Sequence, residues 1–269
     1  MRIFPRRATS TEMAISEREL SQLTGELHDL HESTFPQVRK ALDELTANLG
    51  QVVRQPSTRR GFFLGAAGAV ALGAAAACSS GSSGGPSSSG APSSPAAPAE
   101  TYTGDLKVVA LATALENLAI TAYDGALKKA GAGDLGTVPP AVATFIQTAR
   151  KQHADHAQAW NAVLSKAGKP TIDDAPLTIT ADQVSMLTAA KSVPDVAKLA
   201  LNLENIAAQT YTFATANVSD AGGIMTAATI QPVETMHAAI LNFILGQYPV
   251  PDSFIGTTNS LKPDMLTVK

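Results

Sequence analysis

Downstream of Cys78 the chain has only four glutamates and three histidines, and all but Glu100 fall inside helix-like apolar segments: Glu116, His153 with His156, Glu204, and Glu234 with His237. A carboxylate on the buried stripe of a helix is costly unless a cation or a hydrogen-bond network compensates it. Six such groups at four places point to a shared metal centre built from carboxylate oxygens and imidazole nitrogens. Whether they converge depends on the elements that carry them.

Four long segments repeat apolar residues at helical spacing and end in recognisable start and stop signals. The first runs from about Gly104 to Ala130 and stops in Gly131-Ala132-Gly133. The second follows Thr137, opens on Pro139-Pro140 and ends near Gly168; the third starts near Pro194; the fourth follows Ser219-Asp220 and ends at Gly246. A short piece over about 181–190 follows Thr180, with Gln183 in capping-box position. Pro232 removes a backbone hydrogen bond inside the fourth segment, so a kink or a late helix start is expected there. Strand signals are nearly absent. Helices of about 25 residues extend about 37 Å, and four of them with short connections describe an all-α four-helix bundle.

An internal repeat constrains the arrangement. Leu115-Glu116-Asn117-Leu118-Ala119 with Tyr123 is echoed by Leu203-Glu204-Asn205-Ile206-Ala207 with Tyr211, and each copy precedes a helix containing His. The chain reads as two related helix pairs. The residues three and four away from Glu116 are Ala112, Thr113, Ala119 and Ile120, and those around Glu204 are Ala200, Leu201, Ala207 and Ala208, so both acids face inward. His156 shares a stripe with Ala149, His153, Trp160 and Val163, while Glu234 and His237 share one with Ile230, Ala238 and Leu241.

On these residues the domain over roughly 104–246 resembles the ferritin-like superfamily, especially exported ferritin-like domain proteins of actinobacterial type. In that family two helices each give one Glu and two each give Glu-x-x-His, together binding two metal ions. The resemblance therefore implies two irons, or manganese, at Glu116, His153, His156, Glu204, Glu234 and His237. Glu234-Thr235-Met236-His237 is a complete Glu-x-x-His, whereas His153 stands where the second helix should place its carboxylate. With three carboxylates instead of four, the site would hold two trivalent irons less well and would favour divalent ions or a single metal. Asp155 lies about 100° round the helix from His156 and is expected behind the ligands or at the surface. Tyr123 and Tyr211 are expected as core residues whose hydroxyls reach the carboxylates, and Trp160 as packing.

The rest of the chain bears on location. It has 269 residues, 45% apolar and 16% charged, with a formal charge of −3, which leaves no basic surface for nucleic acid. Ser57-Thr58-Arg59-Arg60-Gly61-Phe62-Phe63-Leu64 resembles the twin-arginine export motif and leads into an Ala/Gly run ending at Cys78. Ala75-Ala76-Ala77-Cys78 resembles a lipobox, with Ala75 where a larger aliphatic is preferred; simple cleavage is the alternative. From Ser79 to about Pro98 the Ser/Gly/Pro/Ala composition reads as a tether. These features imply the twin-arginine machinery as a partner, attachment to the membrane through a lipid anchor, and a place at the outer face of the cytoplasmic membrane or in the cell envelope.

The resulting division is 1–56, an N-terminal extension; 57–78, the export and lipobox-like segment; 79–102, the tether; 103–248, the bundle; and 249–269, a tail without helical period that wraps it. The extension carries two helix-like stretches, Leu20 to Leu30 and Val38 to Val52, broken at Pro36. It reads either as two short helices or as sequence upstream of a true start at Val52 or Val53. Two functions fit: a metal-dependent oxidoreductase acting on metal, oxygen or peroxide, and a non-catalytic envelope protein that binds metal or a partner. An oligomer is compatible with both. A shell-forming store fits a tethered bundle poorly, and a rubredoxin-like module is excluded because the chain has one cysteine.

Overall fold

A computed structural model of the protein describes residues 15–54, 101–252 and 254–268, with residues 49–54 as backbone only. The export motif with Arg59 and Arg60, Cys78 and most of the tether lie outside the described residues. Six α-helices are present among those described: α1 (Glu17–Arg54), α2 (Asp105–Ala132), α3 (Pro140–Lys166), α4 (Thr180–Ala189), α5 (Val193–Asn217) and α6 (Ala221–Ile244), followed by a 3-10 turn at Pro263–Met265.

The helix ends obey local chemistry. Gly133 closes α2 at φ 79°, a conformation that costs glycine nothing, and Pro140 opens α3 where a missing N–H is tolerated. Ser192 caps α5 by accepting from Asp195 N, and Asp220 caps α6 by accepting from Gly222 N and Gly223 N. The capping box expected for α4 is not formed: Thr180 lies inside the helix, and its hydroxyl donates instead to the Ala175 carbonyl at 2.6 Å.

The four bundle helices are α2, α3, α5 and α6, paired α2 with α3 and α5 with α6, with α2 also against α5. Helix α2 is long and apolar enough to cross a membrane, but 72% of its most apolar window is buried, which marks it as the core helix of the bundle. Apolar packing forms two clusters, one around Leu115, Trp160, Leu203 and Ile230 and the other around Phe145, Ile146, Val196 and Leu241. Each fully buried Leu, Ile or Phe in them contributes about 1.5–3 kcal/mol.

The extension departs from expectation. It forms one helix that continues through Pro36 and lies across α3 and α6 as a fifth helix. Leu20, Thr24, Leu27, His31, Phe35, Val38, Leu42 and Leu45 are buried at steps of three or four, with Ala41 buried beside Leu42, and form a seam. Leu20 and Leu27 join one apolar cluster and Phe35, Val38, Leu42 and Leu45 the other. Pro36 is on the solvent side, and packing on both sides of it overrides a local cost of about 3 kcal/mol. Pro232 is likewise exposed, and α6 runs through it from Ala221, so the late start is corrected.

At the α1–α6 crossing a Cβ on Gly222 would stand 2.2 Å from the Ala41 carbonyl oxygen, so only glycine fits. The tail packs through Leu261, whose N–H donates to Thr210 Oγ1, and through a bridge between Leu177 and Leu266.

Candidate metal centre

The six residues singled out above all come together. Glu116 (α2), His153 and His156 (α3), Glu204 (α5), and Glu234 and His237 (α6) are each no more than 1% exposed. They fall into two overlapping groups, Glu116, His153, His156 and Glu234, and His153, Glu204, Glu234 and His237, with one ligand atom from each residue within 4.8 Å of the others. His153 and Glu234 belong to both groups, and of the two only the carboxylate could serve two adjoining ions at once.

The repeat becomes a reciprocal lock. Tyr123 Oη donates to Glu204 Oε1, and Tyr211 Oη donates to Glu116 Oε1. Each tyrosine thus serves the glutamate of the other helix, a pairing that requires α2 and α5 to run antiparallel. Trp160 is more than packing, since its Nε1–H donates to Tyr211 Oη at 2.9 Å. Burial and the facing carboxylates, Glu204 for Tyr123 and Glu116 for Tyr211, push both phenols well above their usual range, so both stay protonated donors.

His153 lies between the two glutamates, with Nδ1 2.6 Å from Glu116 Oε2 and Nε2 3.1 Å from Glu204 Oε1. Both ring nitrogens face carboxylates, the arrangement of an imidazolium when no metal is bound. Burial disfavours charge on His153, but Glu234, Glu204 and its hydrogen bonds more than reverse this and hold it well above the ordinary histidine range. The same opposition, burial against Glu116 and Glu234, lifts His156 to about 9. Burial would raise Glu116, yet His156 and His153 hold it down to about 2. Glu204 is likewise held low by His237 and His153, against burial. An unprotonated imidazole at His153 would neutralise nothing, but an imidazolium offsets the carboxylates until a metal replaces its proton.

Gln152 carries no signal of its own in the sequence, yet it is fully buried and orients His237. His237 Nε2–H donates to Gln152 Oε1 at 2.7 Å, and Gln152 Nε2 donates to the Leu27 carbonyl of α1 at 3.4 Å. That amide orientation places the proton on Nε2 and leaves Nδ1 facing Glu204 Oε2 at 3.3 Å and Glu234 Oε2 at 3.5 Å. The detectable signal was position: Gln152 is four residues before His156, on the same buried stripe.

A metal fits this donor set. Both nitrogens of His156 and both oxygens of Glu234 are buried without a hydrogen-bond partner, although His156 Nδ1 lies 3.2 Å from Glu234 Oε1 and 3.4 Å from Glu116 Oε1. Buried polar atoms are rarely left so, and a cation seated between His156 Nδ1 and the Glu234 carboxylate would satisfy three of the four. Asp155 does not join the six; it is partly buried and pairs with Lys151 at 2.8 Å. His31 of α1 does approach the centre, its ring centroid 5.3 Å from that of His156, at the level where the polar layer separates the two apolar clusters. Its place in the 3.5-residue seam was the available sign.

A family model described as a ferritin-like domain matches residues 104–247. No curated protein and no solved structure matches the chain.

Proposed function

The chain belongs to the ferritin-like domain family, and from that premise we propose that it is an exported, lipid-anchored metalloprotein whose six-residue centre holds two ions of iron or manganese for redox chemistry. The observation that carries the metal reading is the set of partnerless buried donors on His156 and Glu234. Two such ions, when bound, would supply electrons and open coordination positions for dioxygen or peroxide. Glu116, His156 and Glu234 would hold one ion and Glu204, His237 and Glu234 the other, with His153 beside both. Three carboxylates offset three of the four charges on two divalent ions, which favours divalent over trivalent pairs in a buried site.

The chain's own residues do the positioning. Tyr123 and Tyr211 hold the two single glutamates, Gln152 fixes the His237 tautomer, and in the unprocessed chain α1 covers the α3–α6 side. Incubating the full chain with Fe²⁺ and following oxygen or peroxide uptake tests the reading. Uptake that disappears in Glu234→Ala is expected; tight binding without uptake would favour the second reading.

That second reading is a non-catalytic envelope scaffold. It is favoured by the charge balance of three carboxylates with three imidazoles, and by His153 bridging Glu116 and Glu204 through both nitrogens.

Export rests on the motif at Arg59-Arg60, the Ala/Gly run and Cys78, and a folded, metal-loaded domain suits a route that carries folded proteins. The expected location is the outer face of the cytoplasmic membrane. Cell fractionation checks this: Arg59→Lys with Arg60→Lys should leave the protein in the cytoplasm, and Cys78→Ser should release it from the membrane. Unchanged fractions in both variants would contradict export and anchoring.

A further inference from the structure

Where α1 crosses α3, one cluster is used by nothing described so far. His31 offers a ring nitrogen, and Glu32 and Asp155 each a carboxylate oxygen, all within 4.8 Å of one another. His31 is 2% exposed, and neither of its ring nitrogens has a hydrogen-bond partner. Its Nδ1 points toward this cluster, 3.9 Å from Glu32 Oε1. Asp155 also lines a surface groove of about 370 Å³ between α1 and α3, so the cluster is reached from solvent.

We propose that in the unprocessed chain, where α1 is still joined to the bundle, His31, Glu32 and Asp155 form an outer site for a divalent first-row transition ion, through which metal passes to the inner centre before export. The donor set, one imidazole and two carboxylates, is the set proposed above to hold each inner ion, with His153 beside both, and selects the same metals. The position already accommodates positive charge: Lys151 Nζ lies 2.9 Å from Glu32 Oε1 and 2.8 Å from Asp155 Oδ2. Lys151 is about half exposed, on a flexible stem that can withdraw into solvent. Competition from its ammonium makes the site weak and exchangeable, as a transit position must be. The stacked rings of His31 and Phe35 lie next to His156, their centroids 5.3 Å and 5.8 Å from its own, so the outer site adjoins the inner centre. Binding at the outer site is independent of the inner centre, and only its role as a way in rests on the metal reading proposed above.

Titration of the full chain with Co²⁺, followed by visible absorption and bound metal per chain, tests the site. The expected result is a weaker class of about one ion that is lost in Glu32→Gln/Asp155→Asn and tightens about tenfold in Lys151→Met, where the competing charge is gone. The same class should persist in Glu204→Gln/Glu234→Gln, which disables the inner centre alone. A weaker class that is unchanged by both outer variants would overturn the outer site. Loss of no ion in the inner variant would instead overturn the inner centre. Stopped-flow filling of the inner centre should slow several-fold in Glu32→Gln/Asp155→Asn, and an unchanged rate would overturn the transit role.

Discussion

The glutamate-bearing pair, α2 and α5, and the histidine-bearing pair, α3 and α6, close the same polar layer by different means. On the first side every carboxylate is tied by short-range chemistry: Tyr211 and Trp160 support Glu116, and Tyr123 supports Glu204. On the second side His156 and Glu234 lack hydrogen-bond partners, and the seam is covered by α1, a helix upstream of the segment that resembles an export motif. The glutamate side is preorganised without metal, while the histidine side depends on a ligand and on a fifth helix. In the proposed uptake the tied side would orient the metal and the open side receive it.

The largest break in that contrast should come from Glu234, which serves both ligand groups. Glu234→Ala is expected to lower bound metal at least about tenfold. It should also cost the metal-free protein roughly 3–5 kcal/mol, because it leaves buried imidazolium charge uncompensated. Elemental analysis and chemical denaturation read the two effects.

Next comes the cover. Gly222→Val drives a side chain into the Ala41 carbonyl, where a single Cβ would already be 2.2 Å away, and such overpacking costs about 1–3 kcal/mol. Hydrogen exchange should rise along α1, and a chelator should strip the centre faster, while α2 and α5 keep their protection. Uniform loss of protection across all helices would contradict a separable cover.

A change with pH follows from the imidazoles. His156 is held at about 9, above its ordinary value of 6.5, so its contribution to the metal-free fold is complete below about 6.5 and is lost as pH rises through about 9. Glu116, held down to about 2, keeps its contribution above its ordinary value of 4.5 and loses it as pH falls through about 2. Metal binding needs the unprotonated nitrogen, so affinity should rise over the upper window while metal-free stability falls. Thermal unfolding at pH 6, 7.5 and 9, with and without Mn²⁺, should show the two trends diverging.

The smallest effect is expected on the preorganised side. Tyr211→Phe leaves Trp160 Nε1 and Glu116 Oε1 each short of a partner, a loss of about 1–3 kcal/mol in the metal-free protein. Metal content should persist, since no ligand is removed.

The bundle and its six polar residues were legible because acids and histidines are scarce beyond Cys78, so each one on an apolar stripe stood out. The glutamate-tyrosine repeat was legible too, but its crossed pairing was not, because sequence spacing shows which residues share a helix face and not which helix they face. Gln152 and His31 were hidden for another reason. Glutamine is common in helices, and His31 sits in a segment where Pro36 reads as a break, whereas tertiary contacts on both sides of Pro36 carry the helix through. Helix α1 could be recognised as amphipathic, but its partner, the seam between α3 and α6, exists only once the bundle is assembled.

The most direct test is the metal content of the purified full chain from metal-supplemented cells, by elemental mass spectrometry, beside Glu204→Ala/Glu234→Ala. One or two equivalents of iron or manganese in the wild type and almost none in the variant is the result predicted here. A folded wild-type chain without metal, or a variant that retains as much as the wild type, would contradict a six-residue metal centre.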